Sequence, residues 1–306
     1  MTLAIVVAVL AAGAALIAWG WFEAGWVRLR EIRFIVPGLP AELHGLRIAH
    51  LSDFHLGVPS RGEKAVEQAV AWAAREQPDL TLVTGDLLSN RRAEPKLREL
   101  LAQLPRCYAV LGNHDIAAAR DPFSKGQPVD GLRGATLLND EAWAVRVRNK
   151  GVQIVGVHPA SYVVEADEKV VGLADSRASL RILLCHFPEI ADRLPAGVFD
   201  LVLAGHIHDG QICVPLPGGK LRCAHPNARY TRGLYKGAAG LLHVSAGLGT
   251  TFVPFRFLAR PEATMLVLES PDGPWLGDGP PRVAARDAET SPLRGGRWHG
   301  PTSGTA

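Results

Sequence analysis

The chain has 306 residues and sets 33 Lys and Arg against 30 Asp and Glu, a formal net charge of +3. That near balance excludes the strongly basic surface on which nucleic-acid binding depends. With 47% hydrophobic residues there is material for a buried core, while four cysteines are uninformative by count.

From Met1 to Phe22 no side chain is charged. As a helix this run would measure about 33 Å, enough for a hydrocarbon core of ~30 Å. A cleaved signal peptide has a shorter apolar region behind a basic leader, and no Lys or Arg precedes this one. Trp19, Trp21, Phe22 and Trp26 read as an interfacial aromatic belt. Residues 1–26 are therefore expected to form a single-pass N-terminal membrane anchor, and 27–43 a juxtamembrane linker. Arg28, Arg30 and Arg33 follow the anchor. The positive-inside rule then leans toward a cytoplasmic body, but the rule weakens when a whole folded domain follows the span, so the side stays open.

Residues 44–269 read as one folded domain. "LRIAHLSDFHLG" (46–57) is a strand closing on Asp53 and His55, and the next segment puts Val66, Ala69, Val70 and Ala73 on one helical face. "DLTLVTGDLLSN" (79–90) is a strand ending at Gly85-Asp86, followed by a helix with Leu97, Leu100, Leu101 and Leu104 at helical spacing. "CYAVLGNHD" (107–115) ends in Gly112-Asn113-His114-Asp115, and residues 142–157 read as a hairpin around Asn149-Lys150-Gly151. "RILLCHFPEIADRL" (181–194) is a strand reaching His186 and then a short helix with Pro188 near its start. "DLVLAGHIHDGQ" (200–211) is a strand that stops at Gly205 and presents His206 and His208, whose i, i+2 spacing in an extended chain sends both imidazoles to one side. "GLLHVSAGLG" and "ATMLVLE" supply two further strands. Cys213 and Cys223 flank a candidate hairpin and would pair only in an exported domain. Residues 270–306, rich in Pro, Gly, Ser and Thr, are expected to be a disordered tail. Alternation of strands and helices at the front with mostly strands at the back points to mixed sheets flanked by helices.

In α/β sheets, ligands gather where strands end, because loops there free side chains from the core. Five such ends carry Asp53 and His55, Asp86, Asn113 and His114, His186, and His206 and His208. None has the cysteine spacing of a structural zinc site. Two Asp, one Asn and several His suit a pair of divalent cations, manganese first, with zinc or iron as alternatives. Asp86, on a sharp glycine turn, is the natural bridge between two ions ~3.5–4 Å apart.

Taken together, Asp53-x-His55, Gly85-Asp86, Gly112-Asn113-His114-Asp115, His186 and Gly205-His206-x-His208 resemble the calcineurin-like metallophosphoesterases. "GHIHDGQI", "RYTRGLY" and "HVSAGLGTT" are similar to that family's bacterial membrane-associated phosphodiesterase branch. The resemblance implies an α/β fold, a four-layer α-β-β-α sandwich of two mixed sheets. It implies one ion held by Asp53, His55, Asp86 and His208 and a second held by Asp86, Asn113, His186 and His206. His114 would protonate the leaving-group oxygen, with Asp115 orienting its imidazole. The expected reaction is hydrolysis of a phosphodiester or pyrophosphate bond, lipid-linked substrates included, with no obligate protein partner. A phosphomonoesterase and a non-catalytic metal-binding scaffold at the membrane are the alternatives. Leu87-Leu88-Ser89-Asn90 lacks the Asp-Arg-Gly of phosphoprotein phosphatases, and Ser89 stands where purple acid phosphatases have tyrosine. Arg91 and Arg92 read either as a second-phosphate contact or as solvated surface. Asp209 stands where related sequences commonly have glycine; it either tunes His208 or occupies a turn.

Overall fold

The computed structural model describes residues 2–119, 121–124, 129, 131–164, 166–217 and 219–274. In chain order the helices are α1 (Thr2–Ala24), α2 (Gly62–Glu76), α3 (Glu94–Leu101), α4 (Pro159–Val164), α5 (Ala166–Leu173) and α6 (Ile190–Arg193). The strands are β1 (Arg28–Ile35), β2 (Leu46–Leu51), β3 (Leu80–Thr84), β4 (Cys107–Val110), β5 (Thr136–Leu137), β6 (Glu141–Val147), β7 (Lys150–Gly156), β8 (Leu180–Leu184), β9 (Leu201–Ala204), β10 (Cys213–Leu216), β11 (Gly219–Arg222), β12 (Gly233–Lys236), β13 (Leu241–Val244) and β14 (Glu262–Glu269).

Two six-stranded mixed sheets carry the fold, in the orders β1-β14-β2-β3-β4-β5 and β12-β13-β9-β8-β7-β6. Their central strands run parallel, β2 to β5 in one sheet and β7, β8, β9 and β13 in the other. Strands buried on both faces have no room for polar alternation, which is why "LVLA" reads as a continuous apolar run and "LTLVT" breaks it only with buried threonines. The inner faces meet in a core that joins Ile48, Leu82 and Val110 of the first sheet to Ile154, Ile182 and Leu203 of the second. On the outer face of the first sheet, Val83 and Ala109 pack with Val66 and Val70 of α2 and Leu97 and Leu101 of α3. On the outer face of the second, Leu183 and Val202 pack with Val170 of α5 and Ile190 of α6. Helices thus cover both outer faces of the paired sheets, the layering the sequence led one to expect.

Two expectations need correction. Residues 28–35 are not a linker: β1 runs parallel to β14 along its whole length, with Ile32 and Phe34 buried in the inter-sheet core. Its arginines are spent on the sheet, Arg28 and Arg30 both lying on the buried Glu262 carboxylate at 3.8 and 3.3 Å. The hairpin turn sits one residue earlier than expected, since Arg148 and Asn149 take φ of 48° and 66° and β7 starts at Lys150. Two consecutive left-handed residues make the primed turn whose twist suits a hairpin. Cys213 faces Arg222 across the β10–β11 ribbon, one residue short of Cys223, and both thiols are free.

Helix α1 is the one helix, among the described residues, long and apolar enough to cross a membrane, with a mean hydropathy of 2.4. Only its last turn touches the domain. Gly20, Glu23 and Ala24 are buried there. The expected disordered tail lies outside the described residues from residue 275 onward.

Candidate metal centre

The carboxyl ends of β2, β3 and β4 from one sheet converge with those of β8 and β9 from the other, and hydrogen bonds lock the turns together. Asp53 N–H donates to Gly85 O at 2.9 Å, His55 N–H to Asp86 O at 2.9 Å and Gly205 N–H to His186 O at 3.1 Å. His206 N–H crosses between sheets to the Asp53 carboxylate at 3.0 Å. At the glycines of these turns the packing leaves no space for a side chain. A methyl on Gly112 would strike the Asp86 carboxylate, and one on Gly205 would strike Ser52 and Asp53.

Five candidate ligands, Asp53, His55, Asp86, His206 and His208, sit at φ between 45° and 73°. Non-glycine residues avoid that left-handed region, and surroundings must over-determine such a conformation for it to persist. Here the hydrogen-bonded turns do so, aiming the side chains inward. Asp53, His55 and His208 offer ligand atoms within 4.8 Å of one another, as do His55, Asp86 and His114, and Asp86, His186 and His206. Asp86 belongs to two of the three groups. Its Oδ2 lies 3.4 Å from His55 Nε2, 3.2 Å from His186 Nε2 and 3.9 Å from His114 Nε2.

The charges inside this closed space are set by burial and by one another. Burial alone would raise the Asp86 carboxyl, but the His186 and His114 imidazoles outweigh it and hold the group well below the usual carboxylate range. Burial works against a charged His186 as well, yet Asp86 beside it lifts that imidazole to about 9. Burial pushes Asp53 up to about 6 and drives His55, His206 and His208 well below the ordinary histidine value. Neutral imidazoles have lone pairs to give a cation. Two facing nitrogen pairs, His55 Nε2 with His208 Nε2 and His186 Nε2 with His206 Nδ1, each 3.1 Å apart, converge where a cation would sit. Asn113 Oδ1, on the turn that follows β4, is buried without a hydrogen-bond partner. A buried amide oxygen left unpaired costs about 1–3 kcal/mol, which a cation would relieve. The donors present fit divalent ions, and six of the seven residues expected as ligands, Asp53, His55, Asp86, His186, His206 and His208, fall in these groups.

Asp115 does something else. Its carboxylate accepts from the backbone N–H of Leu87, Leu88 and Gly112 at 2.9 Å each, so it staples the Asp86 turn to the Asn113 turn. Burial pushes its pKa up to about 7. The His114 imidazole instead turns Nδ1 toward Ser124 Oγ at 3.2 Å and Asp121 Oδ2 at 4.0 Å. The expected role of Asp115 in orienting His114 has no hydrogen bond behind it among the described residues, since the carboxylate's contacts go to backbone amides.

Several neighbours of the ligands escaped the sequence reading. Ser89 Oγ contacts His55 Nδ1 at 3.0 Å, His186 Nδ1 donates to Thr84 O at 2.8 Å, and His225 stacks obliquely on His206 with ring centroids 5.0 Å apart. Arg256, fully buried, donates to His208 Nδ1 at 3.0 Å and to the carbonyls of Ala246, Gly249 and Ala259. Ser89, standing where purple acid phosphatases have tyrosine, carries a local signal; nothing local marks Arg256. Asp209 is buried and receives Lys220 at 2.6 Å, Arg222 at 3.3 Å and Arg232 at 3.2 Å. It is therefore more than a turn residue.

The same strand ends are spanned by a family model described as calcineurin-like phosphoesterase, which matches residues 46–210. The chain belongs to the calcineurin-like phosphoesterase family. Of its relatives, the uncharacterized metallophosphoesterase YkuE of Bacillus subtilis is 30% identical over 249 residues, covering 76% of this chain and 82% of that one. Phosphodiesterase YaeI of Escherichia coli is 28% identical, over 81% of this chain and 89% of its own length. UDP-2,3-diacylglucosamine pyrophosphatase LpxG of Chlamydia trachomatis is 26% identical, over 83% and 93%. As a calcineurin-like phosphoesterase the protein is a metal-dependent hydrolase of phosphoesters, and its buried His and Asp clusters are the ligands such chemistry needs.

Proposed function

We propose that the protein is a membrane-anchored phosphodiesterase that uses two divalent cations, manganese first. The observation carrying this reading is the Asp86 carboxylate, which lies within reach of imidazoles belonging to two separate clusters. One ion would be held by Asp53, His55, Asp86 and His208, and the other by Asp86, Asn113, His186 and His206. Bound, such a pair supplies hydroxide at neutral pH and neutralises phosphate charge. The chain's own part is to hold the geometry and handle a proton. His114 Nε2 is the group outside both ligand sets that faces Asp86, and it donates to the departing oxygen, while Ser124 and Asp121 restrain its other nitrogen.

The anchor reading rests on α1. Its Glu23 carboxylate accepts from Ala259 N–H at 2.9 Å and from Trp19 Nε1 at 3.1 Å. A segment removed as a signal peptide would leave that buried amide unpaired, so the last turn of α1 is part of the domain. A site tethered so close to a bilayer suits a lipid-linked phosphodiester or pyrophosphate, and LpxG, by its name, acts on one such substrate.

The test uses the full chain in detergent with Mn²⁺, comparing bis-p-nitrophenyl phosphate with p-nitrophenyl phosphate and using Asp86→Ala as the blank. Diester cleavage absent from the blank supports the reading. His114→Ala is expected to lower kcat by about 10²–10⁴-fold, with bound manganese unchanged by elemental analysis. Preference for the monoester would make it a phosphomonoesterase, and full metal occupancy without turnover a scaffold.

A further inference from the structure

An antiparallel ribbon, β10–β11, stands apart from both large sheets. Its register pairs Val214 with Leu221 and Leu216 with Gly219, so Val214, Leu216 and Leu221 share one face. All three are exposed. The ribbon is held from its charged side, where Lys220 and Arg222 reach the buried Asp209. The neighbouring 251–258 loop is tied to the ribbon, Cys213 N–H donating to Phe257 O at 2.9 Å and Lys220 Nζ to Leu258 O at 2.6 Å. It displays three more apolar side chains, Phe252, Val253 and Leu258. Together these six are between 38% and 55% exposed, a contiguous surface that water alone would not favour.

The display is constrained. Phe252 takes φ 56°, and the Gln211 side chain pins the residues on either side of it through Thr251 O at 2.7 Å and Val253 O at 3.0 Å. An aromatic residue held outward in the left-handed region is imposed by its surroundings. The loop also packs directly against the end of α1. Phe255 lies edge-on to Trp21 with centroids 6.4 Å apart, Gly20 packs on the Phe257 ring, and Arg256 N–H donates to Gly20 O at 3.1 Å. Around that junction Arg61 lies 5.5 Å over Phe22 and Arg260 3.6 Å over Trp26. Aromatic rings at the end of an apolar helix, capped by arginines, are what a headgroup layer with anionic lipids accommodates.

We infer that the ribbon face and the 251–258 loop form a collar that seats the catalytic domain on the lipid bilayer beside α1. The inference rests on the reading of α1 as an anchor, and it adds a second contact that fixes the orientation of the domain. A single helix would leave the domain free to swivel; the collar stops this. Arg256 makes the consequence for the metal centre concrete. Its backbone bonds Gly20 of α1 and its side chain bonds His208, so one residue spans from the anchor to the site. Asp209, beside His208, holds the ribbon in turn. The collar therefore presents the site at a fixed height over the membrane, where the phosphate of a lipid headgroup lies.

The experiment places a nitroxide label on the full-length, manganese-loaded protein in vesicles of phosphatidylethanolamine and phosphatidylglycerol. Cys223→Ser removes the exposed thiol; the other three are buried. Labels go in singly through Phe252→Cys, Leu216→Cys, Leu10→Cys in α1, and Trp143→Cys on the far edge strand of the second sheet, each first checked for a native circular dichroism spectrum. Collision with oxygen relative to a water-soluble nickel complex should be several-fold higher at Phe252, Leu216 and Leu10 than at Trp143. Lipid at Leu10 but water at Phe252 and Leu216 overturns the collar and leaves the anchor standing. Lipid at Phe252 and Leu216 with water at Leu10 removes the anchor and overturns the collar as a second contact beside it. Water at all three overturns both, and equal lipid contact at Trp143 overturns the collar as a specific surface.

Discussion

Asp115 illustrates how a residue next to a reactive one can serve structure. Three backbone amides from two separate turns donate to its carboxylate. Leaving such donors buried without an acceptor costs roughly 1–3 kcal/mol each. Asp115→Ala is therefore expected to destabilise the fold by about 3 kcal/mol or more, read as a lower urea midpoint. Asp115→Asn, which keeps an acceptor oxygen, should recover part of the loss. If Asp115 instead oriented His114, the Ala variant would lose activity at unchanged stability. The position of Asp115 was legible in Gly112-Asn113-His114-Asp115, but its partners were not, because Leu87 and Leu88 lie nearly thirty residues away. Arg256 was illegible for the same reason. It is one arginine in an apolar stretch, and only the convergence of Ala246, Gly249, Ala259 and His208 on its guanidinium explains it.

At the scale of elements, β1 is the informative case. Its segment follows a hydrophobic helix and carries Arg28, Arg30 and Arg33, so local composition suggests a solvated linker. The period-two burial of Ile32 and Phe34 marks a strand instead. Burying those two side chains is worth about 1.5–3 kcal/mol each, and β1 also covers the edge of β14. A chain beginning at Leu43 should lose both. Compared with one beginning at Val27, it is expected to melt about 10 °C lower and to aggregate, as seen by calorimetry and light scattering. Equal melting of the two would mean that β1 adds nothing to the fold. The parallel strands, by contrast, were plain in the sequence, because burial on both faces forces continuous apolar runs whatever their neighbours are.

For the whole molecule, the site depends on two sheets meeting. His206 N–H on the Asp53 carboxylate and His208 Nε2 at 3.4 Å from the same group join the end of β9 to the end of β2. Ions that bind only where the sheets are docked stabilise the docked state by mass action. Manganese at about a hundred times its dissociation constant should add about 2.7 kcal/mol, raising the melting temperature by roughly 5–10 °C. A chelator should reverse the shift, and Asp86→Ala should abolish it. A manganese-insensitive melting curve for the parent protein would argue against this site as the place of binding.

The set of candidate ligands, the apolar N-terminal helix and the sheet-and-helix alternation were determined by the sequence alone. Each is a local pattern: a polar group ending an apolar run, an uncharged stretch, a period of two or 3.6. The tertiary structure decided which carboxylate lies between the clusters, that Asp115 serves backbone amides, that β1 completes a sheet, and that Arg256 and Asp209 tie the metal centre to α1 and the β10–β11 ribbon. These depend on contacts between residues far apart in the chain, made only when two sheets pack face to face, and no local pattern encodes the distance across that interface.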